Sequence, residues 1–361
     1  MSEYRLPWHE IHEVFDRWPL AETVPRYVQM RGEWEELHST YGAGEGIKVG
    51  IGDTGVDRTH MESGGDLAGT TVFDVGYGKY DAHSHGTFTT SQVGARGQGS
   101  GMIGMAPKAT LFHAKVLSDG GSGSSDKIAR GIDELVDAGC TIVSLSLGGG
   151  YSDSIERACK RATDAGVIVI ASLGNSGERG DGHPGNSEWT VGSAAIDYEF
   201  MLASFSSRSN RAECSDFGVQ VYGAVTGGRY GRMSGTSMSC PNTAGCVTLI
   251  QGAELKKYGE IRTNSLEKIK AIIRTPELMR DLGPNGHDRG YGYGYMELRK
   301  ILDHVLKDGG DPPLPPTPPG EDPFNGKTVH IQNSSGLWGP YELTLKNEST
   351  PGAISLRPAG D

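Results

Sequence analysis

From Ile47 to about Leu306, short runs of nearly continuous apolar residues alternate with stretches of helical period. That alternation constrains this chain more than any other feature. The strand candidates are IKVGIG (47–52), TLFHAKVL (110–117), TIVSLSL (141–147), VIVIAS (167–172) and VQVYGA (219–224). Between them, SDKIARGIDELVDAG (125–139) and DSIERACKRATDAG (153–166) carry apolar residues on one helical face, as at Ile128, Ile132, Leu135 and Val136. Strands that are apolar throughout are covered on both faces. The pattern therefore predicts an α/β fold with a mainly parallel central sheet between helical layers. In such a sheet, ligands bind at the carboxyl ends of the strands. The 55 glycines, about twice average usage, read as tight turns and close backbone approaches between these elements.

The chemistry-bearing segments are three. VGIGDTGVD (49–57) contains Gly50-x-Gly52-x-x-Gly55, the dinucleotide-binding spacing. No helical period follows Gly55, however, and Asp53 inside the turn would repel phosphates. DAHSHGTFTTSQVGA (81–95) places His85 at the start of a helix, near solvent. Its His83–His85 pair has no third ligand at metal-site spacing. SGTSMSCPNTAG (234–245) presents Ser237 on a tight turn before a helix, with Pro241 expected in the first turn. Taken singly, these segments have plainer readings: a turn aspartate, a structural histidine and a helix N-cap. Together they supply what a serine nucleophile needs, a base in contact and a carboxylate to orient the base. The order Asp53…His85…Ser237 is not that of α/β-hydrolases, and Gly235-Thr-Ser237-Met-Ser239 is not their G-x-S-x-G.

On these motifs the stretch from about 24 to 306 resembles the subtilases, the intracellular subtilisins especially. DTG (53–55), HGT (85–87) and GTSM (235–238) match the family's catalytic signatures. SLGG (146–149) and ASLGNSG (171–177) match its substrate-cleft strand and its oxyanion segment. GMAPKATLFHAKVL (104–117), ASFSSRS (203–209) and GYGYMEL (292–298) extend the likeness. The chain departs from it at Ser239-Cys240-Pro241-Asn242, where A-S-P-H is usual, and at Phe88, where the family has a second histidine.

The resemblance implies a three-layer subtilisin-like fold over 24–307 and a serine endopeptidase. Asp53, His85 and Ser237 would be its triad and Asn175 its oxyanion donor. It implies peptide or protein substrates lying extended beside Gly120, Gly121 and Ser146, Leu147, Gly148 and Gly149. Gly182 and His183 would floor the main side-chain pocket, with Glu178 and Asp181 biasing it towards basic residues. Specificity is expected to be broad, the alternative being a narrow processing protease; a binding protein on an inactive scaffold is disfavoured by the intact triad. No cofactor is expected for catalysis. A structural calcium ion is expected near Glu62 and Gln98, beside an unhelpful Arg96. Residues 1–23 resemble an inhibitory extension, with Leu6 and Pro7 of Tyr4-Arg5-Leu6-Pro7-Trp8 across the site and Trp34 as a packing anchor.

The remaining readings come from composition. The proline-rich stretch 308–323, with seven prolines in sixteen residues, is a stiff linker. Residues 324–361, with KTVHIQ and YELTLK, read as a small β-like tail that binds a partner or promotes oligomerisation. A net charge of -11 without a basic run excludes a nucleic-acid partner. The N-terminus lacks an apolar signal core, and no run reaches the ~18 apolar residues of a membrane span. Five cysteines without paired spacing read as reduced thiols, which with the missing signal predicts the cytoplasm.

Overall fold

The computed structural model describes residues 3–5, 10–15, 34–60, 71–97, 102–180, 182–307, 328–332, 338–345 and 354–358. The chain divides into two compact units, Met1–Leu314 and Pro315–Asp361.

The first unit is built on a nine-stranded sheet. Its strands are β3 (Lys48–Asp53), β4 (Thr71–Asp74), β5 (Thr110–Lys115), β7 (Ile142–Leu145), β8 (Ile168–Ser172), β9 (Val191–Ile196), β10 (Ala212–Phe217), β13 (Met279–Arg280) and β14 (Tyr295–Met296). Their order is β13-β14-β10-β9-β8-β7-β3-β5-β4. Every neighbouring pair is parallel except β13–β14. The doubly apolar strands expected from the sequence feed two cores by alternation. In β8, Ile168 and Ile170 enter one apolar cluster, whereas Val169 and Ala171 enter the other. The second cluster lies against α3 (Ser125–Asp137) and α4 (Asp153–Asp164), through Ile128, Ile132, Leu135 and Ile155. The first lies against α5 (Thr236–Tyr258), α6 (Leu266–Ile273) and α7 (Leu298–Val305). Each fully buried Ile or Leu contributes about 1.5–3 kcal/mol, so this two-sided burial dominates the fold. Trp34, in the helical residues 34–41 (α1), is buried in the first cluster.

One strand expectation is corrected. VQVYGA does form a strand, β11 (Val221–Val225), but outside the parallel sheet. It turns back as β12 (Arg229–Ser234), and β2 (Glu10–Phe15) adds to β12, all antiparallel. Periodicity reports burial of this segment but not its partner. A second small sheet pairs β1 (Glu3–Arg5) with β6 (Ser122–Ser124). In the second unit, β15 (Thr328–Gln332), β16 (Trp338–Leu345) and β17 (Ile354–Pro358) form an antiparallel meander. No helix of the described residues is long and apolar enough to cross a membrane.

Candidate active site

Parallel strands bring their carboxyl ends to one edge, and the register levels them. Gly52 lies opposite Leu145, and Leu145 opposite Ala171, so the residues that follow, Asp53, Ser146 and Ser172, stand level in one row at the strand ends. Asp53 closes β3, Ser146 follows β7 and Asn175 follows β8. His85 opens α2 (His85–Gly94) and Ser237 is the second residue of α5.

Asp53 and His85 are directly bonded. His85 Nδ1 lies 2.8 and 3.0 Å from the two carboxylate oxygens. Thr54 N and Thr89 Oγ1 also donate to that carboxylate, at 2.7 and 3.0 Å. Burial alone would raise the Asp53 pKa, but the imidazole and these donors hold it below the ordinary carboxylate value. Asp81 aligns the histidine. Its buried carboxylate accepts from Thr54 Oγ1, from the amides of His83, Ser84 and Thr87, and from Thr87 Oγ1, so it caps the start of α2. The first two motifs approach so closely that a Cβ on Gly86 would lie 2.1 Å from the Gly55 carbonyl oxygen.

The helix carrying Ser237 has an internal proline with a local consequence. Pro241 cannot donate to the Ser237 carbonyl four residues back. Ser146 Oγ donates to it instead, at 2.8 Å, while Ser237 Oγ donates to the Ser146 carbonyl at 3.4 Å. The strand end after β7 is thereby tied to the serine. α5 starts at Thr236, so Pro241 is its sixth residue rather than a first-turn residue. Asn175 is fixed from its oxygen side: Oδ1 accepts from Thr236 N at 2.9 Å and from Thr236 Oγ1 at 2.8 Å.

His85 and Ser237 are fully buried, where the sequence suggested solvent. Two described strands of the N-terminal segment lie near in the fold. They pair with β6, just beyond Leu117, whose amide bonds the Asp53 carbonyl, and with β12, which ends three residues before Ser237.

Of the residues expected to line a substrate cleft, 147–149 and 182–183 form two adjoining walls. Gly149 and His183 exchange backbone bonds of 3.0 and 3.1 Å, and a Cβ on Gly148 would be 3.8 Å from Gly182 Cα. Leu147 is buried beneath them. Gly120 and Gly121 make the turn into β6, with Gly121 N bonded to Ser118 O at 2.9 Å. Glu178 lies 3.5 Å from Arg208 and is mostly exposed, which weakens any bias towards basic substrates. Asp181, Glu62 and Gln98, expected as calcium donors, and Leu6 and Pro7, expected in an inhibitory segment, lie outside the described residues.

Sequence reasoning missed His113. Buried in β5, it accepts from Gly55 N at 3.1 Å through Nε2, so Nδ1 carries the proton and faces Thr90 Oγ1 at 3.2 Å. Burial pushes its pKa down to about 4, which keeps it neutral behind the Asp53 turn. A histidine inside an otherwise apolar strand was the available signal. All five cysteines are buried and unpaired with one another.

Comparison with known proteins agrees with this geometry. The profile of the subtilase family matches residues 44–294. An intracellular serine protease of Paenibacillus polymyxa is 29% identical over 306 residues, covering 81% of this chain and 92% of that protein. Subtilisin DY of Bacillus licheniformis is 32% identical over 244 residues, covering 66% of this chain and 86% of its own.

Proposed function

Since this chain belongs to the subtilase family and is a serine peptidase acting on peptides or proteins, we propose that it is an endopeptidase whose Ser237 is acylated with His85 as base. The observation carrying this reading is the buried Asp53–His85 pair at the strand ends, with Nδ1 engaged by the carboxylate. That bond leaves Nε2 as the basic ring nitrogen. Ser237 Oγ attacks the peptide carbonyl, and its proton passes to Nε2 and then to the leaving amine. Water hydrolyses the ester by the same route in reverse. Asn175 Nδ2 and the Ser237 amide, in the first turn of α5, hold the oxyanion. The Thr236 bonds to Asn175 Oδ1 support that orientation.

The test is labelling by a fluorophosphonate together with turnover of quenched peptides. Ser237→Ala should lose labelling and retain less than about a thousandth of the turnover. Labelling at another residue overturns the assignment.

The reading extends to the N-terminus. Residues 1–23, with Leu6 and Pro7 among them, act as an inhibitory segment. Support comes from β1 on β6, which occupies an edge that an extended substrate would use. A proline there has no N–H to give and fixes φ, which disfavours cleavage. Removing residues 1–20 should raise peptide turnover tenfold or more, and adding that segment back as a peptide should reverse the rise. Equal rates overturn it.

A further inference from the structure

Tyr4 is fully buried although it stands near the start of the chain. In the β1–β6 pair it lies opposite Gly123, and its ring passes over Gly149. A Cβ at Gly149 would meet three ring atoms at 3.0–3.1 Å, so the ring packs tightly on a surface that glycine leaves bare. The ring joins the apolar cluster that contains Ile128, Leu147 and Ile155.

The far end of this pocket is polar. The Tyr4 hydroxyl donates to the Gly150 carbonyl at 2.5 Å and lies 2.8 Å from His183 Nδ1. His183 is itself buried, and its Nε2 lies 2.8 Å from Glu156 Oε2, a contact that aims the ring at the phenol. Burial, then the nearby Cys159, Glu156 and Tyr151, raises the Tyr4 pKa above its ordinary value, so the hydroxyl remains a donor. The backbone bonds between Gly149 and His183 hold the two walls together. Nothing in apolar packing alone requires this end. With a phenylalanine in the pocket, the buried His183 Nδ1 would lose its partner, whereas the exposed Gly150 carbonyl could turn to water.

We propose that this pocket is a tyrosine-selective substrate subsite. A peptide added as a strand on β6 would place a tyrosine where Tyr4 lies, its hydroxyl read by the Gly150 carbonyl and the His183–Glu156 pair. Substrates are then peptides carrying tyrosine on the acyl side of the cleaved bond, and Tyr4 is the chain's own occupant of that subsite. The proposal rests on the peptidase reading above. It separates from that reading because the pocket can be measured without hydrolysis.

The full-length Tyr4→Ala protein vacates the pocket. Quenched peptides carrying Tyr, Phe or Ala at successive acyl-side positions are compared by kcat/KM. At one position Tyr should exceed Phe by at least ~10-fold, because a site built to bond a hydroxyl rejects the analogue lacking it. Adding Glu156→Ala, or His183→Gln, should shrink that ratio to within ~3-fold. Phe handled as well as Tyr at every position overturns the proposal. In parallel, fluorescent peptides of residues 1–12 with Tyr or Phe at position 4 are bound to full-length Tyr4→Ala/Ser237→Ala protein. Tighter binding of the Tyr form, by the same factor, supports the pocket even if no hydrolysis is found, and equal dissociation constants overturn it. Loss of fluorophosphonate labelling at Ser237 alone would overturn only the peptidase reading.

Discussion

Asp216 lies in β10, fully buried, with Oδ1 accepting from Phe217 N at 2.7 Å and Oδ2 without a hydrogen-bond partner among the described residues. Burial pushes its carboxyl from 3.8 up to about 7, with the Phe217 amide pulling weakly the other way. The sign follows from proton counts. Between pH 4 and 7 the unfolded chain has released this proton and the folded chain keeps it, so stability falls as pH rises through that window and is flat above it. Three units at about 1.4 kcal/mol each make the loss on the order of 4 kcal/mol by pH 8. Asp216→Asn removes the titration. The variant should therefore be roughly 2–4 kcal/mol more stable than its parent at pH 8 and no more stable at pH 4. Urea midpoints from pH 4 to 8.5, in the Ser237→Ala background to prevent self-digestion, measure this. Parallel stability curves for the two proteins would refute the reasoning.

Asn175→Ala should lower kcat by ~10²–10³ with KM little changed, read on a quenched peptide; wild-type turnover would exclude Asn175 from oxyanion binding. Gly86→Ala sets a methyl against the Gly55 carbonyl, where only backbone of the Asp53 turn can yield. A loss of about 1–3 kcal/mol and a large drop in turnover are expected from thermal melts and peptide assays, and a silent substitution would show that the motifs are not locked together. Cys240 donates to the Ile170 carbonyl at 3.4 Å and burial pushes its thiol up to about 11, so iodoacetamide at pH 7.5 should leave turnover unchanged; inactivation within minutes would place a reactive thiol at the site.

The strands of the parallel sheet legible in the sequence, β3, β5, β7 and β8, are those whose two faces both meet apolar clusters. β9 and β10 were not legible, because VGSAAI and AECSDF carry polar residues into the same sheet. Two of those residues find partners far along the chain. Ser193 Oγ meets Thr243 Oγ1 at 2.9 Å, and Glu213 pairs with Arg274 at 2.8 Å and Lys270 at 3.2 Å. No local pattern encodes such pairs. The candidate site divides along the same line. Asp53, His85, Ser237 and Asn175 each stand in a short segment whose glycines and small residues are dictated by close approach, so the motif and the geometry have one cause. His113, Asp81 and His183 act through residues 27–179 positions away, and their own neighbours in sequence say nothing of it. Tyr4 combines both cases. Its neighbours Leu6 and Pro7 made the segment recognisable, yet its pairing with Gly123 and the polar end of its pocket depend on loops 119 and 146 residues distant or more. The N-terminal strand is thus the place where sequence likeness identifies an element and only the folded register tells which side chain that element was built to hold.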